Sequence, residues 1–156
     1  MSVELNHTIV WCSDQAASAQ FLCEILGLPE PRRFSHFHVV DMGNGVSLDF
    51  ASKEGPVSAQ HYAFMVDEAT FDHGLAQVQE RGQAFWADPA RTMAGEINRH
   101  WGGRGFYFLD PDGHHLELYW GIDQVGSDGR LRPPEEWRQT LTLEDSLRHV
   151  PPGQPP

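Results

Sequence analysis

Along the first 121 positions, apolar and polar residues follow two alternating periods, and the same succession of periods occurs twice. Leu5 to Trp11 is an extended run, which predicts a strand. From Asp14 to Leu26 the apolar positions Ala17, Phe21, Leu22, Ile25 and Leu26 recur at helical spacing, with Ser13 or Asp14 to cap the start and Gly27 to supply a left-handed stop. Two extended runs follow, His36 to Met42 and Val46 to Ala51, around the hairpin signal Gly43-Asn44-Gly45. After the polar linker Lys53 to Ser58 the plan restarts. Gln60 to Val66 predicts a strand, and Glu68 to Arg81 a helix with the stripe Phe71, Leu75 and Val78, capped by Asp67 and stopped by Gly82. Ala84 to Ala87 reads as a short strand and Asp88 to Gly103 as a long loop. Phe106 to Leu109 and His115 to Trp120 then flank the turn Asp110-Pro111-Asp112-Gly113. Glu117 trails Asp49 by more residues than His61 trails His7, and the surplus falls in the long loop. The chain is therefore an internal repeat, with an expected α+β fold.

Length and charge narrow the functional classes. A chain of 156 residues has room for one domain or two small fused repeats, which excludes a multidomain enzyme. With 11 Lys and Arg against 22 Asp and Glu, the formal charge of -11 lacks the basic footprint that nucleic-acid binding needs. No stretch approaches the apolar length of a membrane span, and no basic segment leads into an apolar one at the start, so a cytoplasmic protein is expected. Cys12 and Cys23 lack C-x-x-C spacing and read as structural thiols. The expected layout is a single domain over 1–121, with module 1 at about 4–52 and module 2 at about 59–121. A Pro- and Gly-rich extension, 122–156, is expected to pack outside that domain or on a neighbouring chain. Nine histidines in so acidic a chain draw attention to metal chemistry.

Reading the strand faces locates that chemistry. Successive strand side chains point to opposite faces. Asp49 lies opposite Val46, Leu48 and Phe50. His61 lies opposite Tyr62, Phe64 and Val66, beside the small Ala63. Glu117 lies opposite Leu116, Leu118 and Trp120 and shares its face with His115 and Tyr119. His7 departs from this pattern, because Leu5, Ile9 and Trp11 share its face and periodicity alone assigns it to a core. Two imidazoles and one or two carboxylates converging from strands suit a divalent ion that keeps open positions for substrate. His36, His38, His73, His114 and His149 fit hairpin, helix-surface, turn or tail positions rather than a shared cluster, while His115 faces the same side as Glu117.

Four segments carry a family resemblance: Leu5-Asn6-His7, Phe21-Leu22 with Ile25-Leu26-Gly27-Leu28, Gln60-His61-Tyr62-Ala63-Phe64, and the long run from Gly105 to Leu118. Together they resemble the vicinal oxygen chelate superfamily over about residues 5 to 121. The resemblance implies a pair of βαβββ modules whose curved mixed sheets close around a cleft, commonly in a homodimer. It also implies metal ligands at His7, His61 and Glu117, with a fourth at Asp49, and a metal that holds vicinal oxygens of a small-molecule substrate.

Within the superfamily several chemistries compete. Tyr107 and the upstream Arg99-His100 sit where extradiol ring-cleavage dioxygenases carry a tyrosine and a basic loop histidine, although Asp49 falls near where those enzymes place a catalytic histidine. The favoured reading is an extradiol-dioxygenase-like oxidoreductase with Fe(II) on His7, His61 and Glu117, in which Tyr107 hydrogen-bonds a substrate oxygen and His100 or Asp49 handles protons. A glyoxalase I-like lyase or isomerase with Ni, Zn or Mn is the alternative, with Asp49 shorter than glutamate by about 1.5 Å. Fosfomycin-resistance thiol transferases share His61-Tyr62-Ala63-Phe64 and the Tyr107 to Glu117 stretch, but the loop from Arg91 to His100 lacks their lysine- and serine-bearing sequence. A metal-free antibiotic-binding protein would instead use the aromatic walls Trp11, Trp86, Trp101 and Phe106.

Overall fold

A computed structural model of the chain describes residues 2–99 and 103–121. It contains two four-stranded mixed sheets and two helices. The first module runs β1 (His7–Cys12), α1 (Gln15–Leu26), β2 (Arg32–Phe34), β3 (Phe37–Asp41) and β4 (Ser47–Ser52). The second repeats it with β5 (His61–Met65), α2 (Glu68–Glu80), β6 (Phe85–Trp86), β7 (Arg104–Leu109) and β8 (His115–Trp120). The strand orders, β1-β4-β3-β2 and β5-β8-β7-β6, are the same order repeated. In each sheet the first strand pairs in parallel with the last, His7 opposite Ser47 and His61 opposite His115. The remaining pairs are antiparallel. These are two βαβββ modules.

The ends of α1 follow from the predicted caps. The Asp14 carboxylate accepts from the Ala16 and Ala17 N–H groups, and Gly27 closes the helix at φ 64°. Asp67 caps α2 by accepting from the Thr70 N–H at 2.8 Å. At Gly74 the helices and sheet approach so closely that a Cβ would lie 2.6 Å from Leu118 Cδ2 and 3.1 Å from the Ile25 carbonyl oxygen. A side chain there would push Leu118 aside and press on the α1 backbone.

One apolar core serves both modules. It takes Val10, Leu48 and Phe50 from the first sheet, Phe106, Phe108, Leu116 and Leu118 from the second, and Leu22, Ile25, Phe71 and Val78 from the helices. The inner faces of the two sheets thus share one core, and their other faces look outward.

His114 locks the modules together. It is buried, 1% exposed, on the turn before β8. Its Nδ1 accepts from the Gln60 N–H at 2.9 Å and its Nε2 lies 2.9 Å from the Trp11 carbonyl oxygen. Because a carbonyl only accepts, these partners fix the neutral ring with the proton on Nε2. Asp112 adds a second tie, accepting from the Ser13 N–H and the Ser18 hydroxyl. The structure differs from the expected elements chiefly at their edges. Arg32–Phe34 forms an edge strand that periodicity over three polar-to-aromatic positions does not reveal, the expected strand from residue 84 to 87 shrinks to Phe85–Trp86, β7 begins two residues early at Arg104, and other strand ends, β3 among them, shift by one or two residues. The predicted extension, 122–156, lies outside the described residues.

Candidate active site

The register of the second sheet sets four side chains in a row across its outward face. Trp86 lies opposite Tyr107, Tyr107 opposite Glu117, and Glu117 opposite Ala63. His61 stands one strand position pair away, beside His115. Its Nε2 lies 3.3 Å from Glu117 Oε2, with the imidazole 52% exposed and the carboxylate 19%. The Tyr107 hydroxyl hydrogen-bonds the same carboxylate, and the Tyr107 ring stacks by His61 with centroids 6.2 Å apart. Burial, then the Glu117 charge and this hydrogen bond, hold the Tyr107 phenol far above its ordinary value. Tyr107 therefore stays protonated and donates. His115 is shifted down by burial first and then by the charge of Arg91 and the neighbouring imidazoles of His61 and His114.

The outward face of the first sheet carries His7, Ile9, Trp11 and, on β4, Ser47, Asp49 and Ala51. Ser47 Oγ donates to Asp49 Oδ1 at 2.8 Å. His7 Nδ1 lies 2.8 Å from Asn6 Oδ1, and since an amide oxygen only accepts, Nδ1 is the donor, which leaves Nε2 as the nitrogen not engaged in that bond. His7 is exposed on this face rather than buried in the core, because Leu5, Ile9 and Trp11, the apolar residues that share its side, are themselves 67%, 39% and 49% exposed.

The repeat shows itself in sequence as well. The profile of the glyoxalase/bleomycin resistance protein/dioxygenase superfamily matches residues 4–118. The chain belongs to this superfamily. It is 32% identical over 127 residues to the glutathione transferase FosA of Serratia marcescens, an alignment covering 78% of this chain and 83% of that protein. Among solved structures it is similar to the oxidase ChaP-H1, at 52% identity and a TM-score of 0.76, covering 78% of this chain and 98% of that one. The oxidase ChaP-H2 gives 48% identity and a TM-score of 0.75, covering 78% and 96%.

Measured against the superfamily resemblance, the structure brings together His61, Glu117 and Tyr107 and leaves His7 and Asp49 on the other sheet. Among the described residues no three His, Cys, Asp or Glu side chains converge as a metal-holding group. The shared core accounts for this, because two sheets joined through their inner faces cannot turn their outer faces toward each other. The pair that does meet has the spacing of metal ligands. Two donors each about 2.1 Å from one ion at roughly 90 to 110° stand about 3.0 to 3.4 Å apart, and His61 and Glu117 fall inside that interval at 3.3 Å.

The aromatic walls divide. Trp11 is on the outward face of the first sheet and Trp86 on that of the second. Phe106, expected to line the cleft, belongs to the core instead. It is fully buried and packs edge-on against Phe71 and Phe85, because it lies opposite Leu118 on the inner face, one position out of phase with Tyr107. Its parity with Phe108 was the available signal. His100 and Trp101 lie outside the described residues. Two residues carry more than the sequence reading gave them: His114, which joins the modules, and Arg91, whose guanidinium lies 5.8 Å from the Trp86 ring centre. No helix among the described residues is long and apolar enough to cross a membrane.

Proposed function

We propose that this chain is a divalent-metal-dependent oxidoreductase acting on a small aromatic molecule with adjacent oxygens, ring opening of a catechol being the specific form favoured. The observation that carries the reading is the His61–Glu117 pair at 3.3 Å, held by the Tyr107 hydroxyl on an outward face. The 52% and 48% identities to two chains named as oxidases support the reaction class.

His61 and Glu117 would hold the ion, preferably iron(II), with nickel, zinc or manganese as the alternatives. A third ligand, His7, would come from a second copy, whose first-sheet outward face would cover the second-sheet face of its partner in a homodimer. Two imidazoles and one carboxylate form the set that suits non-haem iron and leaves positions open. When bound, the metal supplies Lewis acidity and redox contact with oxygen. Ala63, beside Glu117, leaves room for a substrate ring, and Trp86 and the partner's Trp11 would wall it. Tyr107 keeps the Glu117 carboxylate oriented by donating to it. Asp49, oriented by Ser47, and His100 are the groups proposed to take protons from the substrate hydroxyls.

Elemental analysis of protein purified anaerobically without added metal, beside Glu117→Ala, tests this reading. Near-stoichiometric iron lost in the variant, with oxygen uptake that depends on a catecholic substrate and an unchanged circular dichroism spectrum, is the expected result. Unchanged turnover in Glu117→Ala, or a metal-free protein that refuses reconstitution, overturns it. A second reading rests on the 32% identity to a glutathione transferase. Glutathione consumption without oxygen uptake would favour it, whereas isomerisation of a glutathione adduct with nickel or zinc would favour a glyoxalase-like lyase.

A further inference from the structure

The loop after β6 is built to present one side chain. The Asp88 carboxylate accepts from the Thr92 N–H at 2.9 Å, the Thr92 hydroxyl at 2.9 Å and the Met93 N–H at 2.8 Å, so the loop folds around it. Ala87 N–H donates to the Met93 carbonyl and Arg91 N–H to that of Asp88, which closes the turn. Within it Arg91 adopts φ 61°, a left-handed conformation unusual for a residue with a Cβ. The side chain is thereby laid over Trp86, its guanidinium carbon 5.8 Å from the ring centre.

Its charge has no counter-ion among the described residues. Arg32 pairs with Asp41, Arg81 with Glu24, and Arg104 with Asp72 and Glu68. Arg91 forms no ion pair among the described residues, although acidic residues outnumber basic ones twofold in the chain. Asp88, the near carboxylate, is committed to the loop backbone. Trp86 stands two strand spacings, about 10 Å, from Glu117, with Tyr107 between them. A planar ligand lying along this row would meet Arg91 at its far end.

We propose that Arg91 is a specificity-determining residue that pairs with the carboxylate of an aromatic acid lying along Trp86, Tyr107 and Glu117. The proposal rests on the reading of this face as the active site. The guanidinium fork matches a carboxylate with two parallel hydrogen bonds, and its stacking on Trp86 holds it ready to do so. A lysine offers the charge without the planar fork or the stacking.

The test is tryptophan quenching of the full chain, stripped with chelator, by 2-naphthoate and by its neutral counterpart naphthalene-2-carboxamide. Chelation removes the metal as a competing site for the carboxylate. The wild type is expected to bind the acid at least tenfold more tightly than the amide, Arg91→Gln to lose that preference while keeping its affinity for the amide, and Arg91→Lys to keep a smaller part of it. Arg91→Gly, which suits the left-handed backbone and so preserves the loop, should behave as Arg91→Gln. Equal affinities in the wild type, a preference that survives Arg91→Gln and Arg91→Gly, or no quenching by either probe overturns the proposal. Because metal is absent throughout, loss of the metal-enzyme reading through Glu117→Ala and loss of this one through Arg91→Gln are separate results.

Discussion

Replacing His114 with alanine removes a side chain that hydrogen-bonds backbone groups of both modules. Two part-buried hydrogen bonds to the buried ring are lost at once, from the Gln60 N–H and to the Trp11 carbonyl, each at 2.9 Å. A buried polar group left unpaired costs about 1 to 3 kcal/mol, and truncating a fully buried ring adds a cavity term, partly relieved where water enters the space. The expected loss is about 3 to 5 kcal/mol, among the larger effects of single substitutions. At roughly 2 to 4 °C per kcal/mol for a chain of this size, the melting temperature should fall by about 6 to 20 °C. Urea unfolding followed by both tryptophan fluorescence and circular dichroism measures it, and coincident curves confirm that the modules still unfold together. His114→Leu separates hydrogen bonding from packing. It fills the ring's volume with apolar atoms, keeps water out and leaves both backbone groups unpaired, so it should be no more stable than His114→Ala. A loss below about 1 kcal/mol in His114→Ala, or recovery of wild-type stability in His114→Leu, would refute the assignment of His114 as the lock between modules.

Three further outcomes follow from the same structure. Cys12 and Cys23 are buried, and burial first, then nearby carboxylates, raise each thiol to about 11; at pH 8 about one thiol in a thousand is thiolate, so iodoacetamide should modify neither until urea unfolds the chain. Asp67→Ala should cost about 1 kcal/mol by uncapping α2. Hydrogen bonds from Thr70 hold Asp67 below its ordinary 3.8, so its contribution is complete above that value and disappears as pH falls through the lowered one; the melting-temperature gap between wild type and variant should therefore close in acid. Tyr107→Phe removes the donor that orients Glu117 and should weaken metal affinity by about 10- to 100-fold with the fold intact, as measured by chelator competition.

Much of the fold was legible because its signals are local. Asp14, Gly27 and Asp67 act where the sequence placed them, and the alternation in β5 and β8 correctly separated His61 and Glu117 from the core. The first strand read the wrong way round. Its alternation was plain, but Leu5, Ile9 and Trp11 made the outward face look like a core, and no local rule distinguishes an apolar face that is buried from one that is open. Phe106 was placed by chemical type, as an aromatic near the site, whereas the parity of the strand assigns it inward. The work of His114 was invisible for a different reason. Its partners, Gln60 and Trp11, come from distant segments, and a histidine on a turn gives no sign of which backbone groups it will meet. The division of the ligand residues between two outward faces likewise depends on how the modules share a core, which the spacing of motifs does not encode.

The two parallel strand pairs also set an order of assembly. β1 cannot close on β4 until α1, β2 and β3 have been made, and β5 waits still longer for β8, across a helix, two strands and the long loop. Contacts between such separated segments bear their loop-closure entropy before any reward arrives, and slow folding follows. A chain leaving the ribosome therefore has its first sheet complete while β5, with Tyr62, Phe64 and Met65, has no hydrogen-bonding neighbour. Until residues 115–120 emerge, that strand is the segment most open to pairing with another chain. The same connectivity that gives the finished protein its repeated faces makes the second half the place where its folding is most easily diverted.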